Sequence, residues 1–426
     1  MAGDHTAGAG DQDLVEAIQR FQLADGCFVI GLRRGSAQAA SDVDYFGVTV
    51  NAGARDEASD RFGLAHFVEH TIFKGTLHRR ACHINQRMES VGGELNAFTT
   101  KEETTVYTIS PRGNLSRAVE LVADLLENSQ FPDGELDKER EVVADEIDSY
   151  LDQPSEAVFD DFEDMIFRGS QLGHNILGTN EALAGFSSQV CRGFIADHYT
   201  APRMVAFYRG RLAPARVEAL VRRYFSDFRS HSPAVDRVTP TVNEPEHIVR
   251  SISSHQAHCV IGARVGSLHS ADRTALGLVC NILGGPGMNS RLNVELREKR
   301  GLVYSVESSL NLMSDCGLMT VYFGCDPDDS SRCVEIVSRQ LHEIATHLLT
   351  ARQLQAAKQQ YLGQLVVASD NNEQMALNSA RSILHYGRVA PSSEVRDRIL
   401  ALTADDLLAA AAQIVPSRCS RLTLSQ

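Results

Sequence analysis

Two histidines and a glutamate stand within five residues, as His66-Phe67-Val68-Glu69-His70. On a helix, positions i, i+3 and i+4 share one face. His66, Glu69 and His70 then point the same way, while Phe67 and Val68 can turn toward a core. Two neutral imidazoles four residues apart suit a zinc ion, and a neighbouring carboxylate can take a proton from water activated by the metal. The order is H-x-x-E-H, the reverse of H-E-x-x-H. With 15 histidines in 426 residues, composition alone would produce it in roughly a few chains per hundred. The bland alternative is a solvated helix face edged with histidine.

A hydrolytic zinc site needs a third protein ligand, usually a carboxylate, and leaves a fourth position for water. Residues 133–150 read as a helix charged on one side, and Glu139, Glu141, Asp145, Glu146 and Asp148 all lie on it. Spacing does not choose among them, and for most of them ordinary surface pairing is the expectation. The elements that must position these groups follow from the apolar periodicity. Residues 27–32 and 45–50 read as strands, and 64–73 as the helix carrying the pentapeptide. Residues 84–91 read as a helix stopped by Gly92-Gly93. Residues 94–110 alternate as a strand pair turning near 99–103, and 115–128 read as an amphipathic helix. The first ten residues are rich in Gly, Ala and Asp and read as mobile.

The bulk numbers narrow the function. Hydrophobic content of 43% and charged content of 23% suit a soluble globular chain. The balance of 41 basic against 55 acidic residues, net −14, argues against a nucleic-acid binder, which needs a basic face. No apolar run is long enough to span a membrane. The start lacks the basic and apolar regions of a signal peptide, and its aspartates argue against a transit peptide. Nine cysteines are scattered without C-x-x-C spacing, which reads as reduced thiols in a cytoplasmic protein.

The length predicts two units. Residues 231–246 hold three prolines and few large apolar side chains, and read as a linker between a metal-binding half, 1–230, and a second half, 247–426. The second half repeats the layout of the first. A helix at 271–283 and another at 291–300 precede Gly301, a strand pair at 303–323, and Cys333-Val334-Glu335-Ile336-Val337, which parallels Ala118-Val119-Glu120-Leu121-Val122. Matching Gly75 to Gly284 sets Ala275, Leu278 and Val279 where His66, Glu69 and His70 stand. The expectation is an old duplication in which one half kept the chemistry.

The segment from Gly63 through His66-Phe67-Val68-Glu69-His70 to Lys74-Gly75-Thr76 resembles the signature of the pitrilysin-type inverzincin metallopeptidases. Within that family the chain is similar to the half-length branch containing the mitochondrial processing peptidase catalytic subunit and its bacterial relatives. Further matches are Gly92-Gly93-Glu94-Leu95-Asn96-Ala97-Phe98, the Arg297 and Tyr304 pair seven apart, His174 to Gly178, and His198-Tyr199-Thr200-Ala201-Pro202. One departure is Asn289, where relatives carry a small hydroxyl residue before Ser290-Arg291-Leu292.

The resemblance implies a ligand set. In that branch the third ligand is a Glu 76 residues after the second His, with another Glu seven earlier, and Glu146 and Glu139 stand at those positions. It assigns His66, His70 and Glu146 to one Zn2+ per chain, Glu69 as general base, and Glu139 as a supporting carboxylate. It gives Arg297 and Tyr304 a role in stabilising the oxyanion or anchoring substrate. Asn96, Ala97 and Phe98 become contacts for a peptide added to a strand edge. The implied fold is α+β, two homologous halves, each an antiparallel-rich sheet with helices packed on one face, together half of a clamshell chamber. Two chains would close that chamber as a homodimer with Arg297 and Tyr304 acting in trans; a heterodimer with an inactive partner is the other arrangement. The competing functions are a non-catalytic partner subunit of the same fold and a dedicated maturase of one small precursor. His78 and His83 read as surface residues, and His255 and His258 lack a carboxylate at useful spacing.

Overall fold

Phe46, Val48 and Val50 alternate with residues of the opposite face along the strand Val43–Val50, and all three are buried. Gly47 and Thr49 between them are buried too, so this strand, β3, lies inside a sheet covered on both faces. The computed structural model describes residues 17–22, 28–33, 42–231, 233 and 235–426. Residues 1–10, read as mobile, and Cys27 lie outside the described residues. The strands of the first sheet are β1 (Ala17–Gln22), β2 (Phe28–Arg33), β3, β4 (Glu94–Thr99), β5 (Thr104–Pro111) and β6 (Met204–Arg209). Their order is β1-β2-β6-β3-β5-β4. Those of the second are β7 (His247–Ser251), β8 (Ala257–Val265), β9 (Val303–Leu312), β10 (Gly317–Cys325) and β11 (Ser420–Ser425), in the order β7-β11-β8-β10-β9.

Without β1 the two sheets correspond strand for strand. In each, one parallel pair, β2 with β6 and β7 with β11, sits beside three strands paired antiparallel. The internal duplication expected from the sequence is therefore present in the topology.

Helices α1 (Leu64–Thr71), α2 (Ala81–Glu89), α3 (Leu115–Asn128), α4 (Asp133–Leu151), α5 (Pro154–Ile166), α6 (Asn180–Leu183), α7 (Ser188–His198) and α8 (Pro214–Phe225) follow β3 in the first half. The second half contributes α9 (Arg273–Gly284), α10 (Ser330–Thr346), α11 (Ala351–Ala368), α12 (Asn372–Tyr386), α13 (Ser392–Ala401) and α14 (Ala404–Ala411). Each half's own helices cover one face of its sheet, as the sequence predicts. Leu121, Val122 and Leu125 of α3 meet Phe46 and Val48 in one core, and Leu276, Val279 and Leu283 of α9 meet Ile261 and Val321 in the other.

The opposite faces carry helices exchanged between the halves. Val158 and Phe162 of α5 are buried against Val260, Leu422 and Leu424 of the second sheet. Ala376, Ala380 and Ile383 of α12 are buried against Val205 and Phe207 of the first. Burying two such side chains as Val158 and Phe162 contributes roughly 3–6 kcal/mol, so each half supplies part of the other's stability.

The stretch between α8 and β7 carries no regular element among its described residues, yet it is tied down. Arg237 makes two bonds to Asp56, at 2.9 and 2.7 Å. The helix read over 291–300 differs in kind: residues Asn293–Glu298 form a π-helix, closed in part by Lys299 N–H donating to the Val294 carbonyl at 3.0 Å. None of the eight described cysteines forms a disulfide, and no single described helix is long and apolar enough to cross a membrane.

Candidate metal centre

The helix α1 begins at Gly63, whose φ of 94° lies in the left-handed region that glycine favours. A Cβ there would sit 2.5 Å from the Leu177 carbonyl oxygen, and one on Gly178 would sit 2.2 Å from that of Phe62. Two glycines thus let two backbones touch and fix where α1 starts. Its free amides are capped by Glu57, which accepts from Gly63 N at 2.9 Å and Ala65 N at 2.6 Å. His174 donates from Nε2 to Glu57 at 3.2 Å and to the Ala54 carbonyl at 3.1 Å, and its ring stacks on Phe62. His174 is therefore a structural support for α1.

Phe67 and Val68 are buried in the core, which turns His66, Glu69 and His70 to the other side of α1. Helix α4 crosses this side. One donor atom from each of His66, His70 and Glu146 lies within 4.8 Å of the other two. His66 Nε2 is 3.8 Å from Glu146 Oε1, and His70 Nε2 is 3.4 Å from Glu146 Oε2. Of the five carboxylates left open by spacing on α4, Glu146 meets both rings.

Glu139, two turns earlier, takes the other nitrogen of His70: Nδ1 donates to its Oε1 at 3.1 Å. That bond fixes the tautomer and leaves Nε2 facing Glu146. Lys74 Nζ holds Glu139 Oε2 at 2.6 Å. Lys74, four residues after His70, and Glu57, six before Gly63, join the site without standing in the H-x-x-E-H pattern; an acidic residue upstream of a glycine-started helix is the signal for Glu57.

Burial, reinforced by the charge of His70, pushes His66 down to about 3, so its ring is neutral and carries a free lone pair at neutral pH. Burial raises the Glu69 carboxyl; Thr99 and His70 oppose this, and Glu146 reinforces it. The donor set, two imidazoles and a carboxylate with 42% of its side chain exposed, fits zinc and leaves a side open to water.

Asn96, Ala97 and Phe98 lie on β4, which among the described residues is the outer strand of its sheet and pairs on one side only, with Tyr107, Val106 and Thr105 of β5. Helix α1 packs against β4, so the free edge runs beside the metal-binding face. Arg297, on the π-helix, and Tyr304, on β9, line one pocket together with Gly284, Met288 and Asn293. Tyr304 is 63% exposed. Among the described contacts neither residue touches His66, Glu69, His70 or Glu146. His78 is largely exposed and pairs with Asp124 at 2.6 Å, whereas His258 is buried against the Tyr322 hydroxyl.

The second half carries the same framework without the ligands. Helices α4 and α11, and likewise α5 and α12, start 218 residues apart. That spacing sets Gln364 opposite Glu146, and Ala357 opposite Glu139. Gln364 accepts from Asn281 at 2.6 Å, while Ala275, Leu278 and Val279 are buried.

Two family models divide most of the chain. Residues 36–180 match Insulinase (Peptidase family M16), and residues 185–361 match the Peptidase M16 inactive domain. An uncharacterized zinc protease of Mycobacterium leprae is 33% identical over 94% of this chain and 90% of its own length. The chain belongs to peptidase family M16. Another uncharacterized zinc protease, from Streptomyces coelicolor, is 31% identical over 95% of this chain and 89% of its own. The mitochondrial-processing peptidase subunit beta of Pongo abelii is 27% identical over 89% of this chain and 80% of its own. A protease from Helicobacter pylori shares the M16 fold with a TM-score of 0.86 at 19% identity, covering 96% of this chain and 99% of its own. A peptidase M16 inactive domain from Pseudomonas fluorescens has a TM-score of 0.88 at 17% identity, covering 96% and 97%.

Proposed function

We propose that this M16 chain is a zinc-dependent endopeptidase that hydrolyses extended peptides, with Glu69 as general base. The observation that carries the reading is the convergence of His66, His70 and Glu146 on the helix face that also bears Glu69, beside the free edge of β4. Zinc held there supplies Lewis acidity, polarising the scissile carbonyl and making water a stronger acid. Glu69 accepts the proton of the attacking water at a carboxylate oxygen and delivers it to the leaving amine. Glu139 keeps the His70 ring in one tautomer. The edge of β4 at Asn96, Ala97 and Phe98 adds the peptide as a further strand, so main-chain hydrogen bonds give affinity with little sequence preference. Residues 1–230 then form the catalytic half, 231–246 the connection, and 247–426 the half without ligands.

The separation of Arg297 and Tyr304 from the metal face within one chain supports a homodimer in which they act on the partner's site. Mixing a variant lacking zinc ligands with one lacking Arg297 and Tyr304 then restores part of the activity; failure to do so removes the trans arrangement.

Glu69→Gln tests the central reading. Zinc content stays at one per chain, and hydrolysis of a quenched fluorescent peptide falls by about two to four orders of magnitude. Native turnover in that variant would overturn the assignment.

A further inference from the structure

Lys101, Glu102 and Glu103 form the turn between β4 and β5, and all three are buried, at 6%, 5% and 4% exposure. Charged side chains at the tip of an outer hairpin are ordinarily solvated, and burying them is costly unless each is paired. Each is paired, and to a different part of the molecule. Lys101 donates to the His174 carbonyl and lies 3.6 Å from Glu163 on α5. Glu102 accepts from Arg55 at 2.7 Å, from Ser314 N at 2.8 Å and from Ser314 Oγ at 2.7 Å. Ser314 lies in the turn between β9 and β10, so the two sheets meet turn to turn. Asp315 beside it takes Arg55 with both oxygens, at 2.7 and 2.6 Å. Glu103 accepts from Arg381 at 2.9 Å and His385 at 2.5 Å, both on α12.

Two routes lead from this turn to the metal face. β4 ends at Thr99, immediately before it, and packs on α1. The carbonyls of Thr100 and Lys101 accept from the amides of Ala54 and Arg55, at 3.1 and 2.7 Å. Two residues further on, Glu57 holds the first amides of α1. A displaced turn therefore moves both the strand offered to the peptide and the helix that carries His66, Glu69 and His70.

We propose that residues 100–103 are a positioning element, through which the second half of the same chain holds β4 and α1 in register for hydrolysis. The inference rests on the peptidase reading. It makes Glu102 and Glu103 positioning residues, since they touch neither metal nor substrate. The second half thereby has a role in its own chain's site, separate from anything it lends to a partner.

Arg381→Gln and Asp315→Asn both perturb the turn from the second half. Arg381 is half-exposed, so its loss threatens folding least. Each variant keeps one zinc per chain. Turnover per zinc-loaded chain falls about tenfold, mainly in kcat, because misplacement by a fraction of an ångström suffices. Amide hydrogen exchange across residues 94–104 speeds up, a readout independent of catalysis. Arg381→Lys restores most of kcat. If Arg381→Gln, zinc-loaded and folded, has native kcat, KM and exchange, the proposal is overturned, whatever Asp315→Asn does. Glu69→Gln separates the two levels: if it is inactive while Arg381→Gln is native, only the positioning role fails, and if it is active the peptidase reading fails first.

Discussion

Glu139 binds no metal in the proposed site, so its removal isolates what a supporting carboxylate contributes. The bond from His70 Nδ1 to Glu139 is 3.1 Å long and the carboxylate is buried, which makes it charge-assisted and poorly screened. Lys74 at 2.6 Å draws on the other oxygen and tempers the charge felt by the ring. Loss of such a partner weakens metal binding about 10–100-fold, equivalent to about 1.4–2.7 kcal/mol. The share taken by Lys74 sets the expectation for Glu139→Gln near the lower figure, because the amide oxygen still accepts from Nδ1. Glu139→Ala loses the acceptor as well and lies nearer the upper one. Glu146→Gln removes a donor itself and falls furthest. Competition of each apoprotein with a chromophoric zinc chelator at neutral pH gives the affinities, and far-ultraviolet circular dichroism checks the fold. The expected order is wild type, Glu139→Gln, Glu139→Ala, Glu146→Gln. Zinc affinity of folded Glu139→Ala within about twofold of wild type would refute the chain of reasoning from tautomer to metal.

Two further outcomes are expected. Burial pushes the Asp124 carboxyl up, but His78, Thr76 and Arg79 outweigh it and hold the group below the usual range. A lowered folded pKa stabilises the protein above the ordinary aspartate range, and this contribution is lost as pH falls through the folded value. Asp124→Asn should therefore be roughly 1–3 kcal/mol less stable in urea at neutral pH, with the gap closing on acidification below about pH 4; a gap that persists would contradict the assignment. The exchange of α5 and α12 predicts that residues 1–230 alone leave Val205 and Phe207 uncovered, bind a hydrophobic dye and lack a cooperative unfolding transition. Co-expression with residues 231–426 should restore a single transition, and an independently cooperative 1–230 fragment would disprove mutual dependence.

Much of the site was legible because it depends on local periodicity. The i, i+3, i+4 spacing in 66–70 needs only a helix, and buried Phe67 and Val68 orient it. Glu146 was not separable from its four acidic neighbours on α4 by pattern, since all five sit on a helix whose apolar stripe is thin; family resemblance singled it out, and the geometry brings it to both histidines. The π-helix at 293–298 is indistinguishable from an ordinary helix in the sequence, because six residues are too few for a change of pitch to register in the apolar pattern. The alternation over 94–110 places a turn near 99–103, and it says nothing of where the three charges there point. The partners that Glu102 and Glu103 find in the second half, Ser314, Arg381 and His385, lie more than 200 residues away, and no local pattern encodes such pairing. The same limit hid the helix exchange. Amphipathicity in α5 and α12 says that each buries a stripe, and leaves open which sheet receives it.

The exchange also ties the half without the ligand set to the half that carries it. In the second half Ala275, Leu278 and Val279 occupy the positions of His66, Glu69 and His70 and are buried. Restoring imidazoles there would mean burying polar rings without partners, which is unfavourable, so the change from site to core resists reversal. The second half still supplies α12, whose Ala376, Ala380 and Ile383 are buried against Val205 and Phe207 of the first sheet. It also supplies the turn whose Asp315 and Ser314 receive Arg55 and Glu102. Contact and chemistry thus separate between the two halves. The second keeps elements that touch the first, while the face corresponding to the one with His66, Glu69 and His70 is filled with aliphatic side chains.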